Sequence, residues 1–377
     1  MITKHIGFGS LWSRAALVAF ASAACVAASA CSSDGNGGGQ STSEPAPETG
    51  ESLHALIGAA GGELVGKAGT QFEGVHVSIP AGALAEDTDI SVVPADDKTP
   101  LPKTAVPCGP EFAIEPAGLA LAQPATVTLP FDQEAVETQY RYADEVKVWA
   151  LDGDSWGRKD QMDSTDGTVT VELDALTTVA AGVNPPAEED VIHFDLTTAN
   201  PNLLKCFSQY PDDAKRAPKV DAVVVRGAQN DSLFLRGKNI KPGLQFDMFT
   251  VQNSRLDATG KPVAPFPGFG LAWYQSDIEA DKWGQIRVNI RTILLDQIFG
   301  FSDIAGLAPT QTLHLGFWFN NPDDAAACGF DVTKPTPFNG EHKAGPLAMI
   351  TTPNADTQLG PLCTNPDTSV SPARCDP

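Results

Sequence analysis

Apolar and polar positions alternate with a period of two through most of this chain. The alternation is plainest in Val75-His76-Val77-Ser78-Ile79, Ile90-Ser91-Val92, Ala125-Thr126-Val127-Thr128-Leu129, Val146-Lys147-Val148 and Thr168-Val169-Thr170-Val171-Glu172-Leu173. Successive side chains of an extended backbone point to opposite faces. Each of these segments therefore predicts a strand with one buried face. Gly, Pro and Asp cluster between them; Gly153, in Asp152-Gly153-Asp154, sits where a hairpin turn requires positive φ. Further strands are expected at 220–225, 245–251, 270–274, 285–293 and 312–319. Only 291–301, with Leu294, Leu295 and Ile298, predicts a short helix. Short strands recurring between turn residues imply an all-β class, with two β-sandwich-like domains following a cleaved signal and a flexible tether.

Breaks in the pattern set the expected boundaries. Residues 32–51 (SSDGNGGGQSTSEPAPETGE) hold almost no apolar side chain. Such a stretch cannot bury enough surface to offset its ordering entropy. At ~5–6 Å × √n, about twenty flexible residues span on the order of 25 Å. The expected organisation is a signal peptide at 1–30, a lipidated cysteine and disordered tether at 31–54, and a first sandwich at 55–183. A linker at 184–189, rich in Pro and Glu, leads to a second sandwich or jelly-roll-like domain at 190–363 and a proline-rich tail at 364–377. The linker predicts early proteolysis between two independently stable halves.

Composition narrows the function. With 377 residues and 42% hydrophobic side chains, the chain can build real cores. Its formal charge is −22, and losing Lys4 and Arg14 with the signal takes it to −24. A surface that acidic argues against nucleic acid and against electrostatic docking on anionic lipid.

The first thirty residues supply a location. Arg14 precedes an apolar run from Ala15 to Ala30, then Cys31, then polar sequence. The run is alanine-heavy, interrupted by Ser22 and Ser29, and short of the ~20 strongly apolar residues of a spanning helix. Ala28-Ser29-Ala30-Cys31 resembles the processing site of a bacterial lipoprotein signal. That resemblance implies acylation of Cys31, and Ser32 after it favours the outer membrane. Position −3 holds Ala28 rather than leucine, and Cys25 follows a similar Ser22-Ala23-Ala24. Choosing Cys25 would leave the apolar stub Val26 to Ala30 on the mature protein. An ordinary signal cut near Ala30, without lipid, is the alternative.

The first domain carries a second resemblance. Gly61-Gly62, Val75 to Ile79 followed by Pro80-Ala81-Gly82-Ala83-Leu84, and Asp87-Thr88-Asp89-Ile90 resemble the first half of a ZU-five type β-domain. Gly109-Pro110, Ile114-Glu115-Pro116-Ala117-Gly118-Leu119 and Pro124 to Pro130 resemble the second half, so the likeness covers about 55–183. It implies a scaffold rather than a chemistry. Relatives that cleave themselves do so at His-Phe-Ser; here the corresponding stretch reads Asp174-Ala175-Leu176-Thr177, and His193-Phe194-Asp195 lies past the linker. Autoproteolysis is not expected.

Candidate chemistry is sparse. Trp273, Trp283 and Trp318 are candidates for an exposed aromatic platform of the kind glycan-binding sandwiches use, set against a simpler role in the core. His314, Glu341 and His342 are a set to weigh as metal ligands, but adjacent strand residues point apart. Asp323-Asp324 and Glu188-Glu189-Asp190 are most simply solvated loops, since calcium sites need several converging oxygens. Neither a metal nor a cofactor is expected, and the sequence holds no nucleophile elbow, phosphate loop, CxxC or HExxH. Five cysteines remain after processing: Cys108, Cys206, Cys328, Cys363 and Cys375. Cys363 and Cys375 are close enough in sequence to bridge and pin the tail, Cys206 could pair with Cys328, and Cys108 would then be alone. The expected role is a non-enzymatic, lipid-anchored envelope protein that binds, adheres or assembles, its partner an envelope protein or glycan. The alternative is a polysaccharide-active hydrolase or lyase with the second domain catalytic.

Overall fold

The computed structural model describes residues 52–95, 99–165, 167–228, 230–293, 299–300, 310–311, 313–333 and 344–375. The signal, Cys25, Cys31 and nearly all of the expected tether lie outside these residues, as do Glu341 and His342. The chain is all-β, and its named sheets are antiparallel.

The first sandwich comprises β1 (Leu53–Ile57), β2 (Gly62–Val65), β3 (His76–Ile79), β4 (Thr88–Pro94), β5 (Val106–Glu115) and β6 (Ala120–Pro130). After these come β7 (Lys147–Asp152), β8 (Ser155–Lys159), β9 (Gln161–Thr165), β10 (Thr168–Ala175) and β11 (Thr178–Val183). One sheet runs β1-β4-β5-β11-β7-β8 and the other β2-β3-β6-β10-β9. The alternating positions behave as their period requires: Val77, Ile79, Ile90, Val92, Val127, Leu129, Val169 and Val171 share one buried core. Gly153 turns the β7–β8 hairpin with φ +58°. At the Pro80 turn, Gly82 (φ +81°) donates its N–H to Ala59 O at 2.9 Å. A Cβ on the facing Gly61 would sit 2.5 Å from Ile79 O, so only glycine fits there.

A short helix unforeseen from the sequence, α1 (Gln133–Thr138), links β6 to β7. Asp132 caps it, its carboxylate accepting from Glu134 N at 2.8 Å. The chain leaves α1 through Tyr140, whose φ of +54° is left-handed, and a 3-10 turn at Ala143–Glu145.

The second sandwich comprises β12 (Val191–Thr198), α2 (Leu204–Phe207), β13 (Lys219–Val225), β14 (Asp231–Lys238), β15 (Gln245–Val251), β16 (Ala272–Glu279) and β17 (Ile286–Ile293). It continues with β18 (Phe299–Gly300), β19 (Thr310–Gln311), β20 (His314–Phe319), β21 (Leu347–Ile350) and a tail ribbon, β22 (Pro366–Asp367) with β23 (Arg374–Cys375). The main sheet runs β16-β15-β20-β21-β12-β13-β14-β17. β12 joins two layers: residues 191–196 pair with β13, and Thr197 and Thr198 pair with β21. The outermost strands, β16 and β17, are consecutive in sequence and joined by the turn around Asp281 and Gly284. The row therefore folds over on itself, enclosing Leu196, Val220, Leu233, Phe246, Met248, Phe317 and Phe319. Of the helix expected over 291–301, Arg291 to Ile293 belong to β17, Phe299 and Gly300 to β18, and 294–298 lie outside the described residues.

The two sandwiches touch. Tyr140 and Tyr142 cover Val223, Val225 and Phe234 on the outer face of the β12–β13–β14 layer. Tyr142 lies 5.1 Å from the Phe234 ring, and the Arg291 guanidinium stacks 3.8 Å above Tyr142. Arg291 also pairs with Asp144, which holds that carboxyl below the usual carboxylate range. The 184–189 segment, expected to be a bare linker, is tied at its first residue to the first sandwich. Asn184 O accepts from Arg141 Nε at 2.6 Å, and Asn184 Nδ2 donates to Thr104 O at 2.6 Å.

Candidate functional site

The outer face of the β15–β20–β21 layer is covered by the loop between β15 and β16, residues 252–271. Leu256 and Phe269 from this loop pack with Val251, Trp318 and Ile350 in a small core of their own. Trp318 stands edge-on to Phe249 at 5.5 Å and to Phe269 at 5.1 Å. The loop divides the surface into two clefts, and Arg255-Leu256 and Phe266-Pro267 each send one residue to either side.

On one side is a cleft of about 580 Å³, lined by Phe266, Phe269, Trp318, Phe330, Leu203 and Leu347, with Arg255 and Asn200 as its polar members. The Arg255 guanidinium lies 4.9 Å from the Phe266 ring centroid, and its Nη1 donates to Val263 O. The volume falls within the ~300–1,000 Å³ of small-molecule sites, and a mostly apolar lining with few polar groups is their usual make-up.

On the other side is a cleft of about 550 Å³ walled by Ser254, Leu256, Asp257, Leu313, His314 and the tail residues Pro372 to Cys375. His314 is buried, with Nδ1 3.0 Å from Thr351 Oγ1, which also accepts from Leu315 N at 3.2 Å. Burial pushes the His314 pKa down to about 4, so the ring is neutral near pH 7. Ser254 Oγ donates to Thr351 O at 2.7 Å. Asp257 is committed to its own turn: Oδ1 accepts from Lys261 N, Thr259 N and Thr259 Oγ1, which together hold its pKa below the usual range.

The structure does not bring the three candidate tryptophans together. Trp318 is 1% exposed, so it cannot belong to an open platform; it forms the floor of the aromatic cleft instead. It is excluded from solvent because β20 is covered on both faces. Trp273 (51% exposed) lies on the edge strand β16, and Trp283 (64%) lies in the turn beyond it, with Lys282 Nζ 4.2 Å from its ring. The six steps from Trp273 to Glu279 at the end of β16 span roughly 20 Å at ~3.3 Å per residue. Tyr274, at the end of the strand expected over 270–274, is also exposed; its hydroxyl donates to Asp277 at 2.7 Å.

Disulfides close both ends of this region. Cys206 of α2 bonds to Cys328, and Cys363 bonds to Cys375, fixing the tail against the His314 cleft. Cys108 is a free, buried thiol whose pKa burial pushes up to about 12. Among the described residues no group of three or more His, Cys, Asp or Glu could hold a metal ion. Arg255, Phe266 and Phe330 were not singled out from the sequence; the Phe-Pro-Gly-Phe-Gly run at 266–270 was the available signal, an aromatic loop too constrained to be a strand.

No protein-family model matches the chain, and no curated protein matches it.

Proposed function

We propose that this chain is a lipid-anchored protein of the bacterial envelope, non-enzymatic, whose second sandwich binds a ligand while the first, with its ZU-five-like motifs, serves as scaffold. The observation that carries the binding role is the pair of clefts on either side of one loop, set on a sheet whose surroundings two disulfides close. Binding sites on a rigid frame retain their shape without the ligand, which lowers the entropy cost of association. Disulfides also persist where conditions oxidise, in keeping with life outside the cytoplasm. The anchor rests on the sequence around Cys31. A hydrolase or lyase would need converging acid and base groups. In the His314 cleft, Asp257 holds its own turn and His314 is buried against Thr351, an arrangement that supports binding.

Two measurements test this reading. Cys31→Ala should release the protein in soluble form and abolish incorporation of palmitate label; a variant still anchored and labelled overturns acylation at Cys31 and points to Cys25. Cross-linking in the native envelope should capture a partner that Phe266→Ala no longer retains. Turnover of envelope polysaccharide by the purified protein would overturn the non-enzymatic role.

A further inference from the structure

We infer that the aromatic cleft is a site for a small carboxylate with an aromatic or branched apolar body, and that Arg255 is the group that recognises its charge. This rests on the binding role proposed above and gives it a ligand class.

The first observation is the state of Arg255. In a chain with 47 acids against 25 bases, arginines readily find carboxylates. Arg141, Arg216, Arg236, Arg287, Arg291 and Arg374 each lie within ion-pair distance of one. No carboxylate among the described residues pairs with Arg255, although it is half-buried and its guanidinium rests on Phe266. A guanidinium carries five N–H donors. Here one is directed at Val263 O. Stacking on a ring and one carbonyl contact hold the group in place while leaving donors for a ligand, in the planar fork that matches a carboxylate.

The second observation is what lies beside it. Phe266, Phe269, Trp318 and Phe330 supply rings, and Leu203 and Leu347 supply aliphatic surface. Phe266 and Phe269 meet edge to face at 4.9 Å, as do Phe269 and Trp318 at 5.1 Å. A ring entering this cleft would meet Phe266 and Phe330, which are partly exposed, above the buried Phe269 and Trp318. Water gains little from such walls, so an apolar body is favoured over a sugar, whose hydroxyls would find mainly Asn200 and Arg255. The excess negative charge elsewhere repels anions at long range and does not attract them. Selectivity for a carboxylate must therefore come from Arg255 at short range.

The test uses the secreted full chain carrying Cys31→Ala, so that no detergent competes for the cleft. The probes are 3-phenylpropionate, indole-3-acetate and 4-methylpentanoate, each beside its neutral amide, followed by calorimetry and by the fluorescence of Trp318. Each acid should bind more tightly than its amide by about tenfold or more, as expected of a charge-assisted contact. Arg255→Gln should reduce acid and amide to similar affinity, while Trp318→Phe should remove the fluorescence response. Equal affinity of acid and amide, or no loss in Arg255→Gln, overturns the role of Arg255. Failure of every probe up to millimolar concentration overturns the ligand class. Capture of a partner through Phe266 in the envelope would then still support the binding role, so the two failures are distinguishable.

Discussion

Glu137 of α1 accepts a hydrogen bond from Arg236 Nη2 of β14 at 2.9 Å, a direct bond between the two sandwiches. Arg287 Nη1 reaches the same Oε2 at 3.0 Å, so one carboxylate receives two guanidiniums. Glu137 is 11% exposed at its side chain and Arg236 27%, which places this pair between a surface salt bridge and a buried one. Burial pushes the Arg236 pKa below its ordinary value, and Glu137 opposes that shift. With Tyr140 and Tyr142 seated on Phe234, the contact has an apolar part and an ionic part.

Glu137→Ala should lower stability by about 1–3 kcal/mol, because Arg236 Nη2 keeps its burial and loses its acceptor, while Nη1 keeps Asn289 Oδ1. Urea denaturation reads the cost. Limited proteolysis should cut within 184–189 in the variant before it does so in the wild type. An unchanged midpoint and an unchanged cleavage pattern would mean that the interface contributes nothing.

Tyr140 holds a left-handed backbone, which costs an L side chain about 1–2 kcal/mol relative to glycine. Tyr140→Gly and Tyr140→Ala both lose the ring contacts with His193 and Phe234, but only glycine relieves the backbone. The glycine variant should be the more stable of the two by about 1 kcal/mol. Equal thermal midpoints would refute this.

His314 makes stability depend on pH in a defined direction. Its folded pKa of about 4 lies below the ordinary histidine value of 6.5, so the native state prefers the neutral ring. This contribution is complete above about pH 6.5 and is lost as pH falls toward 4, amounting to about 3 kcal/mol. Denaturation midpoints across that range should fall less steeply in His314→Asn, which has no titrating ring. Parallel curves would show that other groups set the slope.

Trp318→Ala should cost about 3–5 kcal/mol, as expected for a buried large aromatic. Trp273→Ala, at an exposed position, should stay within about 0.5 kcal/mol of wild type. Reversal of that order would contradict the burial of Trp318.

Replacing both Cys363 and Cys375 by serine should cost about 3 kcal/mol on the loop-closure account. It should also raise hydrogen exchange at 372–375, since the bridge pins that segment against the His314 cleft. Peptide mapping of the unreduced wild type should recover the two cysteines as one linked species.

How much of this was legible in the sequence depended on how many faces of each strand are covered. In β3, β6 and β10 one face meets the core and the other is only partly covered, so apolar and polar residues alternate and the strands could be read directly. In β14, Leu233-Phe234-Leu235 is apolar without interruption: Leu233 and Leu235 face the inner core while Phe234 faces Tyr140 and Tyr142. β21 is buried throughout, and neither strand announced itself by period. β20 is also buried along its whole length, which is why a tryptophan suited to a platform, Trp318, turned out to be the floor of a cleft. Local sequence determined the all-β class, the Gly153 turn and the closeness of Cys363 to Cys375, because each depends on residues that are neighbours in the chain. The clefts around 252–271, Arg255 resting on Phe266, and Glu137 shared by Arg236 and Arg287 depend on the folded chain. Only the tertiary fold decided them, since side chains far apart in the chain have no mutual energy until the sheets bring them within contact distance.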